Sequence, residues 1–251
     1  MAKVKSAERT LRLLEAIAHH SKGLSFSEIQ KILSTAKSST FSLIQELVEN
    51  DYVSFNENTK KYVASTNLIK LAASFIGSGD LIQELKRLTN ELSKKVRTTS
   101  HAGILDGTEV IYLARSEYFD NYSLMKQIGG RLPANCTAIG KTLLSQYSDV
   151  EIRKLYKNIP WIRLTQNSKI DIDALIEEIQ KVRTNGYAIE YQEASEMSNC
   201  IAMPIFQNGR AIASFSCTFS NDEMKIVDME KTIALMVTCK KDVESRLELL
   251  L

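Results

Sequence analysis

The side chains best suited to acid–base and metal chemistry are scarce in this 251-residue chain, which contains three histidines and four cysteines. The cysteines, at positions 136, 200, 217 and 239, form no C-x-x-C pair and have no histidine at metal-ligand spacing. So few histidines disfavour a multi-histidine metal site, and reduced thiols are the expected state of the cysteines. We therefore expect no catalytic site and no bound metal or cofactor, and the composition disfavours a hydrolase.

A phosphate-binding loop is the reaction-related motif closest to a match, at Gly140-Lys141-Thr142. The full pattern, G-x-x-x-x-G-K-[ST], needs a glycine five residues before Gly140, and Asn135 stands there instead. The lysine is also predicted to lie within a helix, from Cys136 to Gln146, rather than at a glycine-rich entrance. Nucleotide hydrolysis is therefore disfavoured. What remains is a loop and helix N-terminus at residues 129–144 whose free amides could face a small anion.

A second group of polar side chains is predicted to share one face of a β-strand. Ser214, Ser216 and Thr218 alternate with apolar residues, and a polar loop before Cys200 leads into an adjacent predicted strand. Such a face either lines a small polar pocket or faces solvent, and the pattern fits both equally well. These residues lack a partner histidine, so covalent catalysis is disfavoured.

The third predicted helix, Ser38 to Asn50, carries a polar face opposite the apolar residues Ile44 and Leu47. In a helix-turn-helix, the second helix of the motif places its N-terminal residues against base edges, which small polar donors can read. The candidates at the N-terminal end of this helix are Lys37, Ser38, Ser39, Ser42 and Gln45. The alternative is a solvated face on a winged domain that binds protein.

The first 65 residues, which must position this helix, are predicted to form three short helices followed by a β-hairpin. Ser6 is expected to cap the first helix, and the S-x-x-E sequence that starts at Ser25 is a capping box for the second. Two short strands, Tyr52 to Phe55 and Lys61 to Ala64, flank a turn-rich segment. Helix, helix, turn, helix and hairpin is the order of a winged helix-turn-helix domain.

The rest of the chain is predicted to contain a helical linker and an α+β domain. The linker, residues 66–97, is broken at Gly77-Ser-Gly-Asp80 and resembles a connector more than a core element. Residues 98–251 do not alternate strictly between strand and helix, which favours an antiparallel α+β sheet. Hairpin turns are predicted at Asp106-Gly107 and Asn208-Gly209, a strand at Tyr122 to Ile128, and a terminal helix from Asn221 or Asp222.

The charges divide unevenly, although the whole chain has 32 basic and 30 acidic residues. Residues 1–65 carry nine basic and seven acidic side chains, whereas residues 66–251 carry 23 of each. The small excess lies at the N-terminus and at Lys60 and Lys61 of the hairpin, where phosphate contacts would be made. No stretch approaches the roughly 20 apolar residues of a membrane span, so we expect a soluble, cytoplasmic protein without a membrane partner.

Two blocks of residues carry a resemblance that covers nearly the whole chain. The first runs from Gly23-Leu-Ser through Lys37-Ser-Ser to Tyr52-Val, and the second comprises Gly130-Arg-Leu-Pro, Thr137-Ala-Ile-Gly-Lys, Cys200-Ile-Ala-Met-Pro and Ser216-Cys-Thr. Together they resemble the IclR family of bacterial transcriptional regulators. The resemblance implies a homodimer or homotetramer that binds double-stranded DNA at a near-palindromic operator. It also implies a C-terminal GAF-like α/β domain that binds a small organic acid or aromatic metabolite.

The resemblance also carries over particular residues. Effector contacts fall on Leu132, Ala138, Ile139, Glu190, Cys200, Ser216 and Thr218. The family usually has Asp and Ser where this chain has Glu190 and Thr218, and a Gly-Ala pair where it has Ala138-Ile139, whose bulk narrows the pocket or favours a more apolar effector. On the third helix, Phe41-Ser42 replaces a common His-Arg pair, so Phe41 either meets a thymine methyl group or packs inside.

The sequence therefore predicts a ligand-responsive DNA-binding regulator, expected to be a repressor and not an enzyme. Two other classes stay open. One is an α+β enzyme or carrier whose winged helix serves protein contacts, for which turnover of a bound compound would be the sign. The other is a structural dimerisation module, for which ligands would give no stabilisation.

Overall fold

The structure is a computed structural model that describes residues 4–18, 20, 22–68, 71, 80–118 and 128–249. The chain divides into two compact units, residues 1–79 and residues 80–251. Helices and antiparallel strands make up both units, which confirms the predicted α+β class. No helix in these ranges is both long enough and apolar enough to cross a membrane.

Up to residue 64, the described part of the first unit consists of three helices and a two-stranded hairpin, in the predicted order of a winged helix-turn-helix. They are α1 (Lys5–Ala18), α2 (Phe26–Leu33), α3 (Lys37–Glu49), β1 (Val53–Asn56) and β2 (Lys61–Ala64). One apolar core joins all three helices to the hairpin, because Leu13, Ile29, Ile44 and Val53 are buried against one another.

The ends of α2 explain the sharp turn before α3. Ser25 and Glu28 form the predicted capping box, in which the Glu28 carboxylate accepts from the Ser25 amide at 2.7 Å. Ser34 ends α2 in the left-handed conformation, with φ of 51°. Ser6, in contrast, does not cap α1, because the helix already begins at Lys5 and the Ser6 carbonyl accepts a bond from the Thr10 hydroxyl.

The hairpin is tied back to the segment that precedes α2. Leu24 and Tyr62 exchange backbone hydrogen bonds, Leu24 N to Tyr62 O at 2.9 Å and Tyr62 N to Leu24 O at 2.8 Å. Gly23 makes this approach possible, since a Cβ there would lie 2.7 Å from the Tyr62 carbonyl oxygen and its φ is +75°. Leu24 thus adds a one-residue third strand to the hairpin, which is called the wing below.

The described residues of the second unit form a six-stranded antiparallel sheet of order β5-β4-β3-β8-β7-β6. The strands are β3 (Thr99–Asp106), β4 (Glu109–Ser116), β5 (Arg131–Pro133), β6 (Ala188–Tyr191), β7 (Ser198–Gln207) and β8 (Arg210–Ser220). The helices are α4 (Asp80–Val96), α5 (Ala138–Leu144), α6 (Asp149–Tyr156), α7 (Ile172–Asn185), α8 (Asn221–Ile226) and α9 (Met229–Glu248). The predicted turns Asp106-Gly107 and Asn208-Gly209 close the β3–β4 and β7–β8 hairpins.

Helices cover both faces of this sheet, so the unit has two cores. On one face, alternate residues such as Ile201, Met203 and Phe215 pack with α4 and α9. On the other, Cys200 and Ala202 belong to a core that also includes residues of α5, α6 and α7. This second face is called the inner face below, and it holds the polar residues Ser214, Ser216 and Thr218, which are opposite inner-face residues in the strand register.

Residues 66–97 are not a connector throughout, contrary to the prediction. Helix α4 contributes Leu85, Leu88 and Leu92 to the core of the second unit, and each is fully buried. Their spacing of three and four residues forms the apolar stripe of a core-facing helix. The predicted break at residues 77–80 lies outside the described residues except for Asp80, and the two compact units divide between residues 79 and 80.

Three other predictions need correction or fall outside the structure. The C-terminal region is two helices rather than one, because Ser220 caps α8 and Asp228 caps α9 through their side chains. The helix predicted from Cys136 is a 3₁₀ turn (Ala134–Cys136) followed by α5. The strand predicted at Tyr122 to Ile128 lies outside the described residues except for Ile128, which is in a turn.

Candidate nucleic-acid interface and ligand site

Helix α3 has one buried and one exposed face, as the sequence pattern predicts. Thr40, Ile44 and Leu47 are buried, and the Thr40 hydroxyl bonds that of Thr35 in the preceding turn at 2.7 Å. The side chains predicted to read DNA all lie on the exposed part of the helix: Lys37, Ser38, Ser39, Phe41, Ser42 and Gln45. Phe41 does not pack inside, since 57% of it is exposed.

The two wing lysines occupy different environments. Lys60 stands at the exposed tip of the wing, where its ammonium lies 2.8 Å from the Glu57 carboxylate. Lys61 is partly buried and directs its ammonium toward the Gly23 carbonyl oxygen, at 3.4 Å. Of the two predicted lysines, Lys60 therefore places its charge at the tip of the wing, whereas Lys61 is held against the rest of the unit.

On the inner face of the sheet, the register aligns three predicted ligand-site residues across neighbouring strands. Glu190 on β6 is opposite Cys200 on β7, which is opposite Thr218 on β8. The Cys200 thiol lies 3.3 Å from the Thr218 hydroxyl. Ser216 is also buried. It lies two residues before Thr218 on the same face of β8, opposite Ala202. We call Glu190, Cys200, Thr218 and His101 the polar row.

His101, on β3, extends this line of side chains and was missed by the sequence-based prediction. Its Nδ1 lies 3.3 Å from the Thr218 hydroxyl, and its ring meets the Tyr112 ring edge-on at a centroid distance of 5.6 Å. Burial, and next the charge of Arg115, lower the pKa of His101 to about 3, so the imidazole is neutral. The sequence signal was present, since His101 and Thr99 alternate along β3 as Ser216 and Thr218 do along β8.

Glu190 is the acidic end of the polar row and is fully buried. One oxygen, Oε1, accepts from the backbone amides of Glu193 and Ala194. The other, Oε2, has no hydrogen-bond partner among the described residues, and neither has His101 Nε2. Burial raises the pKa of Glu190 to about 7, although the two amides work in the opposite direction. Near neutral pH this carboxyl is therefore partly protonated and can donate as well as accept.

The titration of Glu190 has a consequence for stability. A carboxyl whose folded pKa lies above its ordinary value of 4.5 contributes stability that is complete below pH 4.5 and is lost as the pH rises through about 7. In Glu190→Gln this loss is absent. We expect the variant to gain about 3 kcal/mol relative to the native chain between pH 4.5 and pH 8. Urea unfolding across this pH range measures it, followed by the fluorescence of Trp161, the single tryptophan.

The quantity to compare is the difference in the free energy of unfolding between the native chain and Glu190→Gln, because the titration of His101 changes stability with pH in the opposite direction. Its lowered pKa contributes stability above its ordinary pKa of 6.5 that is lost as the pH falls toward 3. That contribution is common to both proteins and cancels. Parallel stability curves for the native chain and Glu190→Gln would show that the carboxyl does not titrate as described.

The remaining predicted ligand-site residues lie in the core beside the polar row. Ala138 and Ile139, in the first turn of α5, are buried in the same cluster as Cys200 and Tyr112, and Leu132 of β5 packs against that cluster. The predicted free amides of this helix are only partly available, since the Gly140 amide donates to the Thr137 hydroxyl at 3.0 Å.

Lys141 lies within a helix, as predicted, and its surroundings differ from those of a nucleotide-binding lysine. The side chain is fully buried, and its ammonium contacts the Glu193 carboxylate and lies 3.7 Å from that of Glu178. Glu193 is almost as buried and follows Glu190 closely in the chain. This ion pair therefore fixes the loop after β6, to which Glu190 Oε1 is also bound.

Comparison with known proteins identifies the fold to which both sites belong. Residues 73–245 match the family model described as the bacterial transcriptional regulator IclR C-terminal domain. The chain belongs to the IclR family. Residues 6–57 match the IclR helix-turn-helix domain, in agreement with the geometry of α2 and α3. This IclR-family protein is a DNA-binding transcriptional regulator of the helix-turn-helix type.

Several relatives share most of their length with this IclR-family chain. The HTH-type transcriptional regulator XynR of Escherichia coli is 30% identical over 214 residues, which is 85% of each chain. The E. coli regulator KdgR is 25% identical over 245 residues, 97% of this chain and 93% of KdgR. A crystal structure of an IclR homolog from Microbacterium hydrocarbonoxydans, complexed with 4-hydroxybenzoate, shares the fold with a TM-score of 0.84 at 20% identity, over 96% of this chain and 98% of that one.

Proposed function

We propose that this regulator represses transcription from a near-palindromic operator and releases it on binding a small organic acid or aromatic metabolite. The observation that carries the DNA-binding part is the exposed polar N-terminal face of α3. The polar row carries the effector part. Repression is the simpler direction of control, because a protein seated on promoter DNA blocks access by occupying it and needs no contact with the polymerase.

The charge along α3 supports entry of its N-terminal half into the major groove. Lys37 is exposed in the first turn, whereas Glu46 and Glu49 lie in the C-terminal half. Ala36 precedes the helix and offers no capping side chain, so the amides of the first turn remain suited to phosphate. Ser38 and Ser42 then stand where base edges are read.

The wing supports a phosphate contact through Lys60 more than through Lys61. The side chains of Lys60 and Glu57 are 71% and 77% exposed. Ion pairs this exposed contribute little to stability, so a phosphate can replace the carboxylate. Lys61 would first have to leave the Gly23 carbonyl. The proposed phosphate contacts of this unit are therefore Lys37 and Lys60.

Two copies of the chain are needed for a near-palindromic operator. One α3 reads only a few base pairs, whereas a symmetric homodimer presents two such helices to half-sites one or more helical turns apart. A homotetramer would pair two such dimers. The near-palindromic operator and the symmetric homodimer therefore form one proposal, because the two half-sites of the operator match the two α3 helices of the dimer.

The polar row supports an effector with hydroxyl or carboxyl groups. Glu190 can donate or accept near neutral pH, His101 is neutral, and both have an unpartnered polar atom within the described part of the chain. A ligand oxygen placed there would satisfy groups that otherwise remain buried without partners. The apolar side chains of Leu132, Ala138 and Ile139 suit the carbon skeleton of the same molecule.

We propose that the site binds its ligand without transforming it. Burial raises the pKa of the Cys200 thiol well above its ordinary value, so the thiolate that a nucleophile requires is not formed. His101, the one histidine in the row, is hydrogen-bonded to Thr218 and is not placed as a base for Cys200. Unchanged recovery of a bound compound after long incubation with the protein is the expected result.

Replacing Thr218 by Val is expected to weaken effector binding about tenfold while leaving DNA affinity unchanged. Valine keeps the shape of threonine but removes the hydroxyl that links Cys200 and His101, and a lost hydrogen bond of about 1.4 kcal/mol gives this factor. The test is a titration of DNA upstream of the protein's own gene, followed by fluorescence anisotropy. Benzoate, 4-hydroxybenzoate and aliphatic hydroxy acids are the first effector candidates, and release of the DNA is the readout.

The matched control is Thr238→Val, on the exposed surface of α9, which should leave both affinities unchanged. Release of DNA from Thr218→Val at the same effector concentrations as from the native chain would contradict the assignment of the polar row. Failure of the native chain to prefer any DNA sequence at moderate salt would contradict the proposed function itself.

A further inference from the structure

An unusually apolar surface lies between α3 and the wing. Phe26, Phe41, Phe55 and Tyr62 line an open recess of about 910 Å³, with Lys37, Ser38 and Lys60 as its remaining lining residues. Phe41 is 57% exposed and Phe55 is 37% exposed. We call this surface the aromatic recess. Exposed aromatic side chains grouped in this way are typical of a binding surface rather than of a solvated one.

Contacts among the lining residues and with the core hold part of the aromatic recess in place, because Phe26 and Tyr62 pack against the core of the unit. The Phe55 and Tyr62 rings lie 4.8 Å apart, centroid to centroid, and the Lys60 ammonium lies 5.9 Å from the Phe55 centroid. Tyr62 is also the residue that bonds Leu24 through its backbone. A rigid aromatic surface contributes contact area without first being ordered.

The charge around the recess indicates nucleic acid as the occupant. Its two charged lining residues are both lysines, and none of the residues that line it is acidic. Glu57, the carboxylate that pairs with Lys60, is exposed beyond the rim. A cationic rim around an apolar centre complements a groove in which phosphates flank the bases.

We propose that Phe41 reads the 5-methyl group of a thymine in the operator, with the aromatic recess enclosing that methyl group. The inference rests on the proposed docking of α3 in the major groove. The reason is chemical: the thymine methyl is the one apolar group that base pairs present in that groove, and phenylalanine has no hydrogen bond to offer any other base edge. Phe41 is the fifth residue of α3, within the N-terminal part that meets base edges.

Deoxyuridine tests this inference, because it differs from thymidine in this methyl group alone. The full-length chain is used to select a preferred duplex from a random library at moderate salt. The duplex is then remade with each thymine in turn replaced by uracil. We expect at least one replacement to weaken binding about fourfold, the value for one buried methyl-sized group. Phe41→Ala should bind the thymine duplex weakly and no longer distinguish it from the uracil duplex.

Two further variants keep the test specific. Phe41→Leu retains an apolar side chain and should preserve part of the discrimination. Leu11→Ala removes a side chain of similar exposure, 60%, from α1, outside the recess, and should preserve all of it. Because Phe41 is mostly exposed, Phe41→Ala should unfold at nearly the native temperature.

Each outcome separates the two proposals. A preferred duplex whose affinity is unchanged by every uracil replacement overturns the inference while the proposed function stands, as does discrimination that survives in Phe41→Ala. If Phe41→Ala also keeps native DNA affinity, the recess faces a protein partner instead. Failure to select any preferred duplex overturns both proposals.

Discussion

Replacing Lys141 by Met is expected to lower the free energy of unfolding of the second unit by about 3–5 kcal/mol. Methionine has nearly the length of lysine but no charge, so the substitution removes the ammonium without opening a large cavity. The buried Glu193 carboxylate would then keep only the Lys169 ammonium, which lies 3.9 Å away and is partly exposed, and a buried charge that loses its close partner costs several kcal/mol. Lys141 is fully buried, so water cannot replace the lost partner.

The local charges reinforce this expectation. Although partial burial works against it, Lys181 and Lys141 together lower the pKa of Glu178, so a second carboxylate near Lys141 remains ionised. Removing Lys141 therefore leaves two acidic groups close together. Urea unfolding followed by Trp161 fluorescence reports on the second unit, because Trp161 stacks on Tyr156 of α6 at a centroid distance of 4.9 Å.

Lys181→Met is the matched control. Lys181 pairs with the same Glu178, at 2.7 Å, but its side chain is 65% exposed. Surface pairs contribute about 0–1 kcal/mol, so the control should change stability little. In the double variant Lys141→Met with Glu193→Gln, the buried carboxylate is gone as well, and at least half of the loss should be recovered. A loss below about 1 kcal/mol in Lys141→Met alone would contradict the importance of the pair.

Replacing Gly140 by Ala is expected to destabilise the second unit by about 3 kcal/mol, opposite in sign to what helix propensity predicts. Within a helix, alanine is favoured over glycine by about 1 kcal/mol. Here a Cβ would lie 2.3 Å from the Ala134 carbonyl oxygen and 2.4 Å from its Cα. The atoms it would meet belong to the backbone of the 3₁₀ turn, which cannot rotate away as a side chain can. The cost of overpacking therefore exceeds the gain in helix propensity.

The same unfolding experiment measures this change. Gly107→Ala is a useful control, since a Cβ at the tip of the β3–β4 hairpin would meet no atom within 4 Å. It tests the positive φ of 59° alone, for which a cost of about 1–2 kcal/mol is expected. If Gly140→Ala were as stable as the native chain or more stable, the 3₁₀ turn would have moved aside, and the close approach of Ala134 would not explain the glycine.

Local signals in the sequence predict much of this fold. The capping box at Ser25 marks the start of α2 correctly. Ser148 begins the same S-x-x-E pattern and caps α6, and Gly186 ends α7 in the left-handed conformation. The wing and the β7–β8 hairpin follow from turn residues between alternating strands. These features depend on neighbours within a few residues, which is why the sequence specifies them.

The failures have two different origins. In α4, Leu85, Leu88 and Leu92 have the spacing of a core helix, whereas the glycines before them favour a connector. The Lys141–Glu193 pair and the contact of His101 with Thr218 join residues 52 and 117 positions apart, and no local pattern encodes such distances. The polar face of Ser214, Ser216 and Thr218 was predicted, whereas its partners on other strands depended on a sheet order that sequence alone does not give.

The pairing of Leu24 with Tyr62 bears on the entropy of DNA binding. An isolated two-stranded hairpin is marginally stable in water, and a flexible wing would have to be ordered each time it met a phosphate. Here the backbone bonds to Leu24 anchor the wing before any DNA arrives, and Gly23 allows the two segments to approach. The conformational freedom of the wing is therefore lost during folding, and more of the contact energy of Lys60 is left for affinity.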